Sequence, residues 1–179
     1  TFAIIFLRGT CKPGPIKPNP NRKLLLSDKE GYSLFNPVWH PSGEWIYYLV
    51  TPQKWDEGGT WDLCGSIRRV KPDGTDETLI FADSVCCLTI SHNGEKLAFV
   101  KGSYPFPREN DKIILADTLG IIIDTIQPGG CIYWIKFSKD DSKLYYSATE
   151  GDTFGYFRIN LDGSGKEFLN HRVYTYFDL

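Results

Sequence analysis

The chain has 179 residues, 41% hydrophobic and 15% aromatic, with a formal net charge of −2 and a pI near 5.9. That length holds one domain with a proper core, and so many aromatic residues favour strands. The slightly acidic balance leaves no broad basic face and argues against a nucleic-acid partner; Arg68, Arg69 and Lys71, close together, read as a solvated strand edge.

Residues 2–7 read FAIIFL, and Arg8-Gly9-Thr10-Cys11 and KPGPIKPNPNRK follow. The apolar run is far shorter than the ~20 residues of a membrane-spanning helix. The Pro/Asn/Lys stretch has no periodicity and reads as an extended linker. Met is absent and Thr1 stands first, which reads as processing or truncation. An apolar run, small residues, one Cys and a polar tether resemble the end of a bacterial lipoprotein signal peptide. That resemblance implies a lipid anchor at Cys11, with residues 1–22 a signal remnant and linker.

Residues 23–179 are organised by an internal repeat. FNPVWHPSGEWIYYL from Phe35, CCLTISHNGEKLAFV from Cys86 and YWIKFSKDDSKLYYS from Tyr133 align through Gly43, Gly94 and Asp141, in steps of 51 and 47 residues. Each reads strand, tight turn, strand, and the turn residues tolerate the conformations a turn needs. After the turn, Ile46 and Tyr48 match Leu97 and Phe99, then Leu144 and Tyr146, the period-two spacing of a strand with a buried face. Before the turn, Pro37 and Trp39 match Leu88 and Ile90, then Ile135 and Phe137, while Val38, Thr89 and Lys136 between them vary.

A second hairpin follows in each copy, turning at Pro72-Asp73-Gly74, Thr118-Leu119-Gly120 and Leu161-Asp162-Gly163. The flanking strands are predicted at 66–70 with 77–80, 113–117 with 121–125, and 155–160 with 166–169. Four antiparallel strands in ~45–50 residues are the dimension of a propeller blade. The expected fold is therefore all-β: a β-propeller with three complete blades at about 35–82, 85–127 and 131–170. Partial strands are expected at 23–26 and 174–179. Three blades do not normally close a ring, so a fragment of a longer propeller is expected, the alternative being that the two chain ends combine into an improvised fourth blade.

The distance between the two turns falls from 31 to 26 to 22 residues, and the difference lies in the connection between the second and third strands. Variable loops on a constant scaffold are where function usually resides. The first such connection carries Trp55 and Trp61, and the second Tyr104 and Phe106. Aromatic residues among Gly, Asp and Pro suit peptide or sugar contact, so these four are the candidate ligand-binding residues.

There are five cysteines: Cys11, Cys64, Cys86, Cys87 and Cys131. None is in a CxxC pair or at metal-ligand spacing, and the odd count leaves at least one thiol unpaired. Cys86 and Cys87, adjacent in a predicted strand, point to opposite faces and are expected as buried free thiols.

The strings NPVWHPSGEWIYY and IRRVKPDGTDETLI resemble the TolB-type β-propeller repeat over about residues 35–170. That repeat occurs in periplasmic scaffold proteins that bind proteins or peptides, in the gating domains of prolyl-oligopeptidase-like peptidases, and in a related oligogalacturonate lyase. The sequence has no Gly-x-Ser-x-Gly nucleophile elbow. Its three histidines, His40, His92 and His171, do not suggest a metal site, and its Asp-Gly turns are explained by hairpin geometry. No catalytic residue, metal or cofactor is expected. The reading is a non-enzymatic platform for protein, peptide or glycan in the periplasm or cell envelope, with the membrane reached only through a lipid anchor. The alternative is the propeller portion of an enzyme.

Overall fold

The computed structural model describes residue 26 and residues 32–52, 64–102 and 111–170. The expected partial strand at 174–179, and all but Leu26 of that at 23–26, lie outside them, as does Cys11.

Eleven strands and no helix form among the described residues. β1 (Tyr32–Trp39), β2 (Ile46–Pro52), β3 (Gly65–Val70) and the first half of β4 (Thr78–Ile90) make one four-stranded unit. The second half of β4 joins β5 (Lys96–Lys101), β6 (Lys112–Asp117) and β7 (Ile122–Ile126) in the next. β8 (Cys131–Phe137), β9 (Lys143–Glu150), β10 (Thr153–Asn160) and β11 (Glu167–Asn170) make the third. All neighbours pair antiparallel and in chain order. These are the three expected blades.

The first two blades share a strand, so β1 to β7 form one sheet. The segment LIFADSVCC contains no Gly or Pro to stop β4. Register shifts between Gly65 and Ile67, and between Val85 and Cys87, bend it so that Val85 pairs with Gly65 on one side and Lys101 on the other.

The turns repeat atom for atom. In the first hairpins, Gly43, Gly94 and Asp141 all have positive φ, and their N–H groups donate to the carbonyls of His40, Ser91 and Ser138. In the second, Gly74, Gly120 and Gly163 donate in the same way to Lys71, Asp117 and Asn160. Ser91 and Ser138 brace their turns identically, each Oγ accepting from the N–H five residues on.

Each blade packs face to face on the next, and the central strands of the first two blades are buried on both faces instead of one. Tyr47 and Leu49 face the second blade while Ile46 and Tyr48 face away, and all four are at most 1% exposed. The layer between blades one and two contains Leu49, Ile67, Leu97 and Phe99; that between two and three contains Val100, Ile113, Leu144 and Tyr146. A third cluster, Leu34, Ile46, Tyr48 and Val70 with Leu26 against it, covers the far side of blade one.

Two expectations are corrected. In β1, Asn36 takes φ 52° and the register shifts between Phe35 and Val38. This bulge reverses the side-chain alternation, so Val38 packs toward the core while Pro37 and Trp39 are exposed. Cys86 is not a free thiol but forms a disulfide with Cys64. β3 pairs Gly65 with Val85, which sets Cys64 opposite Cys86 one step along the antiparallel ladder, at a Cα separation of 4.2 Å. Cys87 points to the other face, where its thiol donates to the Tyr133 carbonyl at 3.1 Å.

Candidate functional site

The β2–β3 connection leaves the sheet at Pro52 and returns at Cys64, and the β5–β6 connection leaves at Gly102 and returns at Asp111. β9 and β10 are joined by the tight turn Gly151-Asp152. Trp55, Trp61, Tyr104 and Phe106 lie within the two longer connections, outside the described residues.

The feet of both connections are tied to the strand that opens the following blade. Cys64 is bonded covalently to Cys86. Asp111, only 1% exposed, accepts from Ile132 N–H at 2.8 Å, and its own N–H donates to the Gly130 carbonyl at 3.3 Å. Within its own blade, Gly102 N–H donates to Ser84 O at 3.3 Å. Gly65 lies so close to β2 that a Cβ would meet the Val50 carbonyl, so the Cys64 foot admits no larger residue beside it.

A cleft of about 470 Å³ opens where the first connection leaves blade one. Leu34, Val50 and Pro52 form an apolar wall, and Ser66, Arg68 and Glu77 a polar one. Glu77 accepts from the Tyr48 hydroxyl at 2.7 Å and from Arg68 at 3.3 Å. Burial, and then the Glu77 carboxylate, push the Tyr48 hydroxyl far above its usual range and hold it as a neutral donor. At the rim, the hydrogen bond from Lys101, then that from Ser84 N–H, hold the Asp83 carboxyl below the usual carboxylate range. The bordering carboxylates are thus both engaged by cations and donors of the chain itself.

The serine–histidine contact in the structure is a turn brace. His40 Nδ1 accepts from Ser42 N–H at 3.1 Å and lies 2.8 Å from Ser42 Oγ, while Nε2 is 3.0 Å from the Gly94 carbonyl. A backbone donor on Nδ1 and a carbonyl at Nε2 fix the tautomer with its proton on Nε2. His92 is held in the next turn by Asp141.

A second surface was not singled out from the sequence. On the outward face of blade three, Trp134, Ser147 and Tyr156 form one cross-strand row and Lys136, Tyr145 and Arg158 the next. Tyr133 and Phe154 pack with ring centroids 5.7 Å apart, and Phe154 and Tyr156 at 6.2 Å. In earlier blades the positions of Ser147 and Tyr156 are held by buried Leu49 and Ile67, then Val100 and Ile113. The available signal was this replacement of aliphatic residues by a serine and a tyrosine in the last copy.

No family model matches the chain, and no curated protein matches it. Solved structures do. Similar are a chain of a nidogen/laminin complex (TM-score 0.58, 14% identity, 79% of this chain and 49% of that one) and TolB from Acinetobacter baumannii (0.57, 12%, 78% and 32%). Also similar is the β-propeller domain of the trilobed protease from Pyrococcus furiosus (0.54, 14%, 78% and 44%). The fold is that of a β-propeller. The chain spans half or less of the length of each of these proteins, and at such identity the likeness shows the fold alone. The propeller blades described here form two sheets that do not close into a ring among the described residues.

Proposed function

We propose that the chain is a non-enzymatic propeller platform of the bacterial envelope that binds a protein or peptide, or a glycan, through its two long connections. The observation that carries this reading is the tethering of both connections to the next blade, by the Cys64–Cys86 disulfide and by buried Asp111 on Ile132 N–H. Tethered feet lower the entropy lost when a loop closes on a ligand. Trp55, Trp61, Tyr104 and Phe106 supply the contact residues in this proposal, and the blade-one cleft extends the surface at the foot of the first connection.

The disulfide also supports an exported protein, because such bonds persist in oxidising compartments. Lipidation at Cys11 completes the proposal. Likeness to a protease propeller supports the second reading, the propeller portion of an enzyme.

Panning peptide and glycan arrays with the full chain, and repeating it with Trp55→Ala/Trp61→Ala, tests the platform. Loss of binding at unchanged thermal stability is expected. Binding that survives the double substitution, or hydrolysis of the captured peptide or glycan, overturns the reading.

A further inference from the structure

On the outward face of blade three, Tyr133, Trp134 and Phe154 are 47%, 37% and 38% exposed. The corresponding faces of blades one and two are covered by the strand that opens the following blade. Leu88 and Ile90 pack into the layer on blade one, and Ile135 and Phe137 into the layer on blade two. In both places a side chain of the earlier blade also bonds the covering strand: Asn36 Nδ2 donates to Leu88 O at 2.9 Å, and Cys87 Sγ to Tyr133 O at 3.1 Å. Asn36 and Cys87 stand four residues before His40 and Ser91, whose carbonyls close the first turns. Four residues before Ser138, which closes the third, stands Trp134, whose indole N–H is a donor.

Residues 171–179 read HRVYTYFDL and lie outside the described residues. Phe177 and Leu179 flank Asp178 as Leu88 and Ile90 flank Thr89, and as Ile135 and Phe137 flank Lys136. The spacing agrees. Leu88 and Ile90 lie 14 and 16 residues after Gly74, Ile135 and Phe137 lie 15 and 17 after Gly120, and Phe177 and Leu179 lie 14 and 16 after Gly163. The reach is sufficient as well. Facing sheets are about 10 Å apart; β11 ends at Asn170, and the four residues 171–174 span up to about 13 Å when extended.

We propose that residues 173–179 of this chain dock on the outward face of blade three, with Phe177 and Leu179 turned toward it and the Trp134 indole donating to a main-chain carbonyl of the segment. Tyr133, Phe154 and Tyr156, already packed on one another, offer ring edges and faces to Phe177. Alternation along a strand turns Asp178 the other way, so its charge stays off the aromatic face. One short strand held on one face opens locally, without the blades. The aromatic face is then a seat for the chain's own following segment, and ligand contact falls to the two long connections.

Hydroxyl-radical footprinting of the full chain, read by mass spectrometry, tests this. Trp134 and Phe154 are expected to be shielded, and Phe177→Asp/Leu179→Asp to raise their oxidation several-fold while that of exposed Leu119 stays unchanged. Hydrogen exchange is expected to be slowed over residues 173–179 in the wild type and to become fast there in Trp134→Ala. Thermal melts show whether the variants fold; should Trp134→Ala not fold, the substitutions at Phe177 and Leu179 decide alone. Rings oxidised equally in the wild type and in Phe177→Asp/Leu179→Asp overturn the proposal, whether because the face is open or because another occupant covers it. Shielding that falls on dilution overturns it in favour of a second copy.

Discussion

The carboxylate of Asp141 accepts hydrogen bonds from the backbone N–H groups of His92 and Asn93, at 2.7 and 2.9 Å, and so clasps the first turn of blade two from the first turn of blade three. Asp141 occupies the left-handed position that glycine holds in the other two copies. The residue accepts a strained backbone and in return provides a link that glycine cannot make.

Asp141→Gly removes the clasp and relieves the backbone, whereas Asp141→Ala removes the clasp and keeps the strain. Losing hydrogen bonds to a charged group is expected to cost about 1.5–3 kcal/mol, lessened in Gly by the relief. A left-handed alanine costs about 1–2 kcal/mol more. Urea titration should rank wild type above Gly above Ala; Ala equal to Gly would disprove the strain.

The same residue sets part of the acid response. Burial alone would raise the Asp141 carboxyl, but its bonds to His92 and Asn93 outweigh this and hold it below the ordinary carboxylate value. The folded state therefore binds the proton more weakly than the unfolded chain. The stability gained is present above that value and lost as pH falls through the lower folded one. Asp140, held to about 2 by the Ser138 and then the Ser142 hydroxyls, acts in the same direction. Urea midpoints measured from neutral pH downward should fall less steeply for Asp141→Asn than for wild type.

Reduction of Cys64–Cys86, which closes a 22-residue separation, is expected to lower stability by about 3 kcal/mol. Cys64→Ser/Cys86→Ser should match the reduced protein and no longer respond to reductant. A wild-type midpoint indifferent to reductant would contradict the bond.

Gly43 and Gly120 both have positive φ, but a Cβ at Gly43 meets nothing within 4 Å while one at Gly120 meets the Ile80 carbonyl of the preceding blade. Gly43→Ala should cost about 1–2 kcal/mol, and Gly120→Ala clearly more. Equal costs by thermal melting would show that the blades do not interlock there.

Phe99 is fully buried between blades one and two, whereas Trp134 is partly exposed on the last face. Phe99→Ala is expected to cost about 3–5 kcal/mol and Trp134→Ala under about 1 kcal/mol. A large loss for Trp134→Ala would mean that the face is covered by more than a locally docked segment.

The sequence by itself determined the blade count, both sets of turns and, apart from the long β4, the boundaries of the predicted strands to within a few residues. Those rest on period-two alternation and on residues such as Gly43, Gly74, Gly94 and Gly163, which act locally. Tertiary structure decided what depends on neighbours. Tyr47 and Leu49 are as deeply buried as Ile46 and Tyr48 because blade two covers one face and the cluster of Leu34, Val70 and Leu26 the other, which no single-strand pattern reports. The Cys64–Cys86 bond was hidden because Cys86 belongs by repeat to blade two, yet stands opposite Cys64 only because β4 runs unbroken between blades. The uncovered isoleucines of β7 look like core residues in sequence; only the order of strands shows that the sheet ends there.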